Sequence, residues 1–282
     1  MNLNRLILLV CALLLSVHVQ SQAQAIYPAT PAKERLEGIA RRTRLTDESL
    51  FKNLPLRNIG PTIMSGRAVD LEVNPEDPNE FYVAYASGGL WHTSNNGQSF
   101  EPLFDQEDVM TIGDFAVDWK TRHIWLGTGE VNSSRSSYSG VGMFFSADSG
   151  KTWQQRGLPE SHHIGKVLLH PNDPKTVWVA ALGHLYSPNA ERGVYKTTDG
   201  GTNWQRVLSG DDTTGAVDLV MDPFNPSILY ATLWHRDRRA WNFVESGATS
   251  AIYKSVDEGE HWNRITQSES GFPSRPGVCR IG

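Results

Sequence analysis

Four short segments of this chain repeat one pattern, and the repetition restricts the fold more than any single motif does. Thr93-Ser94-Asn95-Asn96-Gly97-Gln98-Ser99-Phe100 recurs as residues 146–153, 197–204 and 255–262, each reading hydroxyl, x, Asp or Asn, x, Gly, x, polar, aromatic. Counted at Asn95, Asp148, Asp199 and Asp257, successive copies lie 53, 51 and 58 residues apart. A period of that size belongs to arrays of supersecondary units, each too small to bury a core alone.

The residue types account for the spacing. The carboxylate or amide accepts from nearby backbone N–H groups and closes an Asx-type turn. Gly97, Gly150, Gly201 and Gly259, two residues further on, supply a positive φ that other residues resist. Phe100, Trp153, Trp204 and Trp262 then start the next strand as large apolar anchors. Upstream of each turn comes a second signal. His170-Pro171-Asn172-Asp173-Pro174-Lys175 separates two apolar runs, with counterparts at 73–84 and 221–231 and a shortened one at 118–127. One unit therefore reads strand, Pro-rich turn, strand, variable loop, strand, Asp-type turn, strand. Four antiparallel strands in about 50 residues is a propeller blade. The expected fold is an all-β propeller with about four blades present, and the 9 Trp, 25 Gly and 15 Pro among 282 residues suit short strands joined by tight turns.

The turns resemble Asp-boxes, or BNR repeats, of sialidases, sortilin-type receptors, xyloglucanase-type glycosidases and photosystem assembly factors. With Arg57-Asn58-Ile59-Gly60-Pro61, Met64-Ser65-Gly66-Arg67 and Gly127-Thr128-Gly129-Glu130, residues 51–282 most resemble bacterial exported proteins with a sortilin-like propeller, often labelled glycosyl hydrolase-like. The resemblance implies more blades than four, so the chain reads as the N-terminal portion of a longer product. Residues 51–59 would then be the outer strand of a closing blade.

Residues 1–25 read as a signal peptide: Arg5, an apolar run from Leu6 to Leu15, then Ala23-Gln24-Ala25. The apolar run is too short to span a bilayer. The expected location is periplasmic or extracellular, with no membrane span after signal removal. Residues 26–50 form an N-terminal extension with a short amphipathic helix that reads as a solvated lead-in. Cys11 leaves with the signal, and Cys279 alone forms no intrachain disulfide. A net charge of −5 argues against nucleic acid as a partner.

Propeller geometry sorts the remaining residues. Pro-rich and Asp-type turns share one face, and the variable loops lie on the other, the default binding surface. Candidate ligand residues there are Glu130, Arg135 and Tyr138 from the second blade and His184 and Tyr186 from the third. The fourth contributes Trp234, Arg236, Arg238, Trp241 and Glu245. Loop 233–250 is the longest insertion and is locally basic and aromatic, suited to an acidic or carbohydrate partner. No cofactor or metal is expected: Gly127-Thr128-Gly129 lacks the last glycine of a dinucleotide loop, the Asp-type turns lack the ligand series of a calcium loop, and His162-His163 with His170 lacks ligand spacing. Two functions remain. One is an exported scaffold holding a protein, peptide or glycan. The alternative is a glycoside hydrolase of the xyloglucanase-like type, which needs two carboxylates, with Glu130 and Glu245 the pair to test and no catalytic residue assigned.

Overall fold

A computed structural model describes residues 28–54, 66–132, 134, 137–239 and 241–266. The signal segment, Arg135, both cysteines and residues 267–282 lie outside them.

Among the described residues there are eighteen strands, sixteen of which follow the repeat, and one helix that precedes it. The first blade is β1 Ala68–Val73, β2 Phe81–Tyr85, β3 Gly89–Thr93 and β4 Glu101–Pro102; the second is β5 Ile112–Asp118, β6 His123–Thr128, β7 Met143–Ser146 and β8 Gln154–Gln155. The third is β9 Ile164–Leu169, β10 Val177–Ala181, β11 Gly193–Thr197 and β12 Gln205–Leu208; the fourth is β13 Thr214–Met221, β14 Leu229–His235, β17 Ala251–Ser255 and β18 Asn263–Arg264. Each is a four-stranded antiparallel sheet in sequence order. The protein is an all-β propeller of four-stranded blades.

Among the described residues, three large hydrophobic cores lie between blades, and a smaller one joins Val131, Leu182 and Val217. Leu90 and Phe104 of the first blade meet Ile112, Phe115 and Ile124 of the second. Trp125 and Met143 meet Ile164 and Val179 of the third. Trp178 and Val194 meet Leu219, Leu229 and Leu233 of the fourth. A blade is flat and apolar on both faces, so only stacking removes that surface from water.

The four turns make the same bonds. In the second blade the buried Ser146 hydroxyl donates to Asp148 Oδ1 at 2.8 Å and accepts from Gly150 N–H at 2.8 Å. Asp148 Oδ1 accepts from Thr152 N–H, also at 2.8 Å. Thr93 with Asn95, Thr197 with Asp199 and Ser255 with Asp257 repeat this set. The hydroxyl, which the pattern reading passed over, is the buried hub of the turn. Gly150 has φ of +88°, so the backbone conformation favours glycine there, and a Cβ would also push the tip of the Leu103 side chain aside.

The aromatics act across blades. Trp153 Nε1–H donates to Leu103 O, at 2.8 Å, in the preceding blade, and Trp204 Nε1–H to Arg156 O at 2.7 Å. Trp262 departs from this and bonds Gly259 O of its own turn.

Each innermost strand also carries an irregular register one residue before its polar side chain. The shifts fall between Ala68 and Asp70, Ile112 and Asp114, and Ala216 and Asp218, and opposite Ile164 and Lys166 in β9. A bulge turns the following side chain toward the axis.

Two expectations change. The extension holds a helix, α1, at Ala32–Glu48, and it docks onto the loop face instead of merely leading in. Arg35 donates to Gly140 O at 2.7 Å and Pro159 O at 2.6 Å, Arg42 pairs with Asp108, and Ile39 packs on the first core. Residues 51–54 form turns, not a strand; the rest of 51–59 lies outside the described residues. Among the described residues, no helix is long and apolar enough to cross a membrane.

Candidate functional site

Two places gather chemistry-bearing side chains, and each borders a cavity, the axial one of about 280 Å³. The first is axial. Lys166 Nζ lies 2.9 Å from Asp114 Oδ1 and 3.6 Å from Asp70 Oδ2, so one ammonium ties the first, second and third blades. Asp114 Oδ2 also accepts from Val167 N–H at 2.7 Å. Burial pushes the Asp114 carboxyl up, while Lys166, despite its own burial, is raised by Asp114 and Asp70. A carboxylate held by an ammonium and a backbone N–H is committed; this array is an inter-blade clasp.

The second place is on the loop face. A cavity of about 350 Å³ lies among Ser137, Tyr138, His162, His163, His184 and Tyr186. Tyr138 is 63% exposed and Tyr186 47%, so two aromatic rings stand at the edge of a cavity whose floor is imidazole. His162 and His184 stack, with ring centroids 3.7 Å apart. Burial drives all three histidines toward the neutral form, His162 to about 3 and His163 well below the usual range, while Glu160 opposes the fall at His184. His163 Nδ1 lies 2.6 Å from the Glu130 carbonyl oxygen, which fixes its ring.

The chain holds this floor in place with buried arginine. Arg192 donates to four backbone carbonyls, those of Leu182, His184, Ser187 and Thr213. Burial lowers it to about 10 and Arg236 to about 9, with Arg192 adding to the latter. Both guanidinium groups nonetheless stay charged near neutrality.

The sequence-predicted residues sort as follows. Tyr138, His184 and Tyr186 come together at the cavity. Glu130, expected on the surface, is 2% exposed and pairs with Arg67. Arg236, expected as a ligand group, is 1% exposed and donates to Gly183 O. Both were placed on the surface because the variable loops lie on the loop face, yet each side chain is buried against a partner distant in sequence. Loop 233–250 contains a two-stranded hairpin, β15 Asp237–Arg238 with β16 Phe243–Val244. Trp234 folds back, donating from Nε1–H to Glu245 O at 2.7 Å, and Arg238 sits 4.5 Å over the Phe243 ring. Trp241 is 68% exposed, and Glu245 is exposed. The hairpin leans on the third blade, where Arg238 N–H and Arg239 reach Leu185 O and Tyr186 O, each at 3.4 Å. The metal reading changes too: His162 gathers with Glu160 and His184, whereas His170 lies against Trp178.

No family model matches the chain. A xyloglucanase from Paenibacillus sp is 22% identical over 236 residues, 73% of this chain and 21% of that protein. A probable oligoxyloglucan-reducing end-specific xyloglucanase from Neosartorya fischeri is 26% identical over 187 residues, 57% of this chain and 20% of that protein. The crystal structure of an ancestral GH74 enzyme superposes with a TM-score of 0.55 at 21% identity, covering 72% of this chain and 26% of that one. The class is thus a β-propeller similar to those of glycosyl hydrolases. The chain spans about a fifth of the length of the curated relatives it matches.

Proposed function

We propose that the loop face holds a xyloglucan-like polysaccharide and that the protein acts as a glycoside hydrolase of the xyloglucanase-like type. The observation that carries this is the cavity bordered by Tyr138 and Tyr186, two exposed rings suited to stacking on sugar faces. Both curated relatives above are xyloglucanases, which supplies the substrate class. A second reading, binding without cleavage, as in a scaffold for a glycan, protein or peptide, draws on a different fact. The buried carboxylates Glu130 and Asp114 are already engaged by Arg67 and Lys166, and a general acid or nucleophile must be free.

The sortilin-like, Asp-box assignment rests on the four equivalent turns. Export rests on the first 25 residues, with 26–50 as the helical extension and 51–282 as the propeller region. Incubation of the full chain with xyloglucan separates the two readings. New reducing ends support hydrolysis; retardation in a xyloglucan gel without new ends supports binding alone. In either case Tyr138→Ala and Tyr186→Ala should each weaken retention about tenfold. Retention unchanged in both variants would remove the cavity from the proposal.

A further inference from the structure

His162 and His184 of the loop-face cavity form a donor set with Glu160, which lines the neighbouring cavity. Glu160 leaves the connection into the third blade, His162 follows two residues later, and His184 arrives from the loop between β10 and β11. One ligand atom from each lies within 4.8 Å of the others. His184 Nε2 is 3.4 Å from Glu160 Oε2. That is about the edge of a tetrahedron around an ion with bonds near 2.1 Å. The Nε2 atoms of His162 and His184 are both buried; that of His162 makes no hydrogen bond, and that of His184 has Glu160 Oε2 beside it. His162 is 8% exposed, so it is an unpartnered polar side chain within the cavity wall. Leaving such an atom unpaired costs free energy that a bound group would recover.

The two rings stack with centroids 3.7 Å apart, nearer than the roughly 5 Å of two imidazoles on one tetrahedral ion, so coordination turns one ring out of the stack while neighbouring groups hold the rest of the set. Ser187 Oγ is 2.8 Å from His184 Nδ1. With Nδ1–H donating to that hydroxyl, the lone pair at Nε2 faces the cluster, an arrangement found behind metal-bound histidines. Asn189 clamps two of the donors at once. Its Oδ1 accepts from His184 N–H at 2.9 Å, and its Nδ2 donates to Glu160 O at 3.0 Å. Glu191 Oε2 accepts from Glu160 N–H at 2.7 Å and brings a second carboxylate. Arg35, 3.8 Å from Glu160 Oε2, keeps its charge while donating to the carbonyls of Gly140 and Pro159, and the carboxylates of Glu160 and Glu191 together offset it. Ala32 N–H donates to Glu160 Oε1 at 2.5 Å, leaving Oε2 as the atom turned toward His184.

We infer that Glu160, His162 and His184 bind one divalent transition-metal ion of the zinc class on the loop face. Two imidazoles and a carboxylate favour Zn²⁺ over the oxygen-seeking Mg²⁺ and Ca²⁺. Three protein donors leave a fourth position open, and two of them line the cavity bordered by Tyr138 and Tyr186. The ion would also fasten α1 to the third blade, because Glu160 already holds the helix through Ala32. This inference stands apart from the polysaccharide reading: the site binds or does not bind whatever the sugar result.

The test is calorimetric titration of Zn²⁺ into the untagged full chain after chelator treatment, with Co²⁺ absorption as a second readout of coordination. The expected result is one equivalent of Zn²⁺ and no comparable heat with Mg²⁺. His162→Ala and His184→Ala should each weaken binding by more than about 100-fold, beyond the range seen for supporting residues. Lys151→Glu, on the opposite face, should leave it unchanged. Circular dichroism checks that the variants fold. If either histidine variant does not, Glu160→Gln decides, since that side chain is 36% exposed and its loss should still cost about tenfold. No saturable Zn²⁺ binding, or equal affinity in the variant that folds, overturns the site and leaves a stacked histidine pair beside a carboxylate.

Discussion

The two ends of the blades solve different problems with the same chain. At the turn end, the same hydroxyl, carboxylate or amide and glycine make the same bonds in all four blades. Those turns also grip the Pro-rich turn of their own blade: Asn96, Gly200 and Glu258 N–H donate to Asn79, Lys175 and Ser227 carbonyls. At the loop end the backbone still repeats one bond per blade, with Ala86, Gly129, Leu182 and Arg236 N–H donating to the Arg67, Thr111, His163 and Thr213 carbonyls, but the side-chain contacts differ from blade to blade. Charged groups sink into the protein there, with Glu130 on Arg67 and Arg192 on four carbonyls, and α1 crosses the surface. The repeated end works by local bonds and therefore recurs in every unit. The other end works by contacts between distant residues, which is how a site differs from a scaffold.

The largest effect that could break this contrast is expected at the repeated end. Trp178 is fully buried and donates from Nε1–H to Glu258 O of the next blade's turn at 3.0 Å. Trp178→Ala should cost roughly 3–5 kcal/mol by opening a cavity between blades, read as a fall in the urea midpoint. A loss well under 1 kcal/mol would mean that the blades do not depend on these cross-blade anchors.

Next comes the hub of a single turn. Ser146→Ala leaves Gly150 N–H without its acceptor in a buried setting, at about 1–3 kcal/mol. Asp148→Ala should cost less, because its partner Thr152 is exposed and water can replace the carboxylate. The reverse ranking, measured by the same urea titrations, would return the leading role to the acid.

That ranking shows where the sequence was legible. The period, strand order and turn positions follow from local residue types, so the blades can be read directly. The partner of each turn's aromatic cannot, because Trp153 reaches 50 residues back to Leu103. The same limit explains the loop face. Tyr138 and Tyr186 could be placed there by the repeat, but nothing local marks Glu130 as the partner of Arg67, or Arg192 as the support beneath His184. Loop 233–250 hid a hairpin because its strands, Asp237–Arg238 and Phe243–Val244, carry no apolar alternation. Glu160 and His162 are two residues apart in sequence; His184 joins them only through the β10–β11 loop.

At the loop end the effects should separate from folding. Tyr138→Ala and Tyr186→Ala remove exposed rings, so urea midpoints should shift by no more than about 0.5 kcal/mol while xyloglucan retention falls. A stability loss equal to that of Ser146→Ala would show that the tyrosines brace the loops and that the contrast between the two ends is overdrawn.

The smallest effect compares the turns with one another. Hydrogen bonds from Thr152 hold Asp148 near 2, and those from Asn203 hold Asp199 near 2. The backbone and side chain of His261, with Ser255, depress Asp257 as well. A carboxyl depressed in the folded state stabilises fully above its ordinary value of 3.8 and loses that contribution as pH falls through the folded value. The window is therefore about pH 4 down to 2. Asn95 occupies the same position in the first blade with the same bond to Ser99 N–H, and an amide does not titrate. The exposure of all three acids keeps the expected effect small. Replacing Asp148, Asp199 and Asp257 together by Asn should flatten the fall in melting temperature across that window, and Asn95→Asp should steepen it. A profile unmoved by either change would assign the acid sensitivity elsewhere, with the buried Asp114 and Lys166 clasp the first place to look.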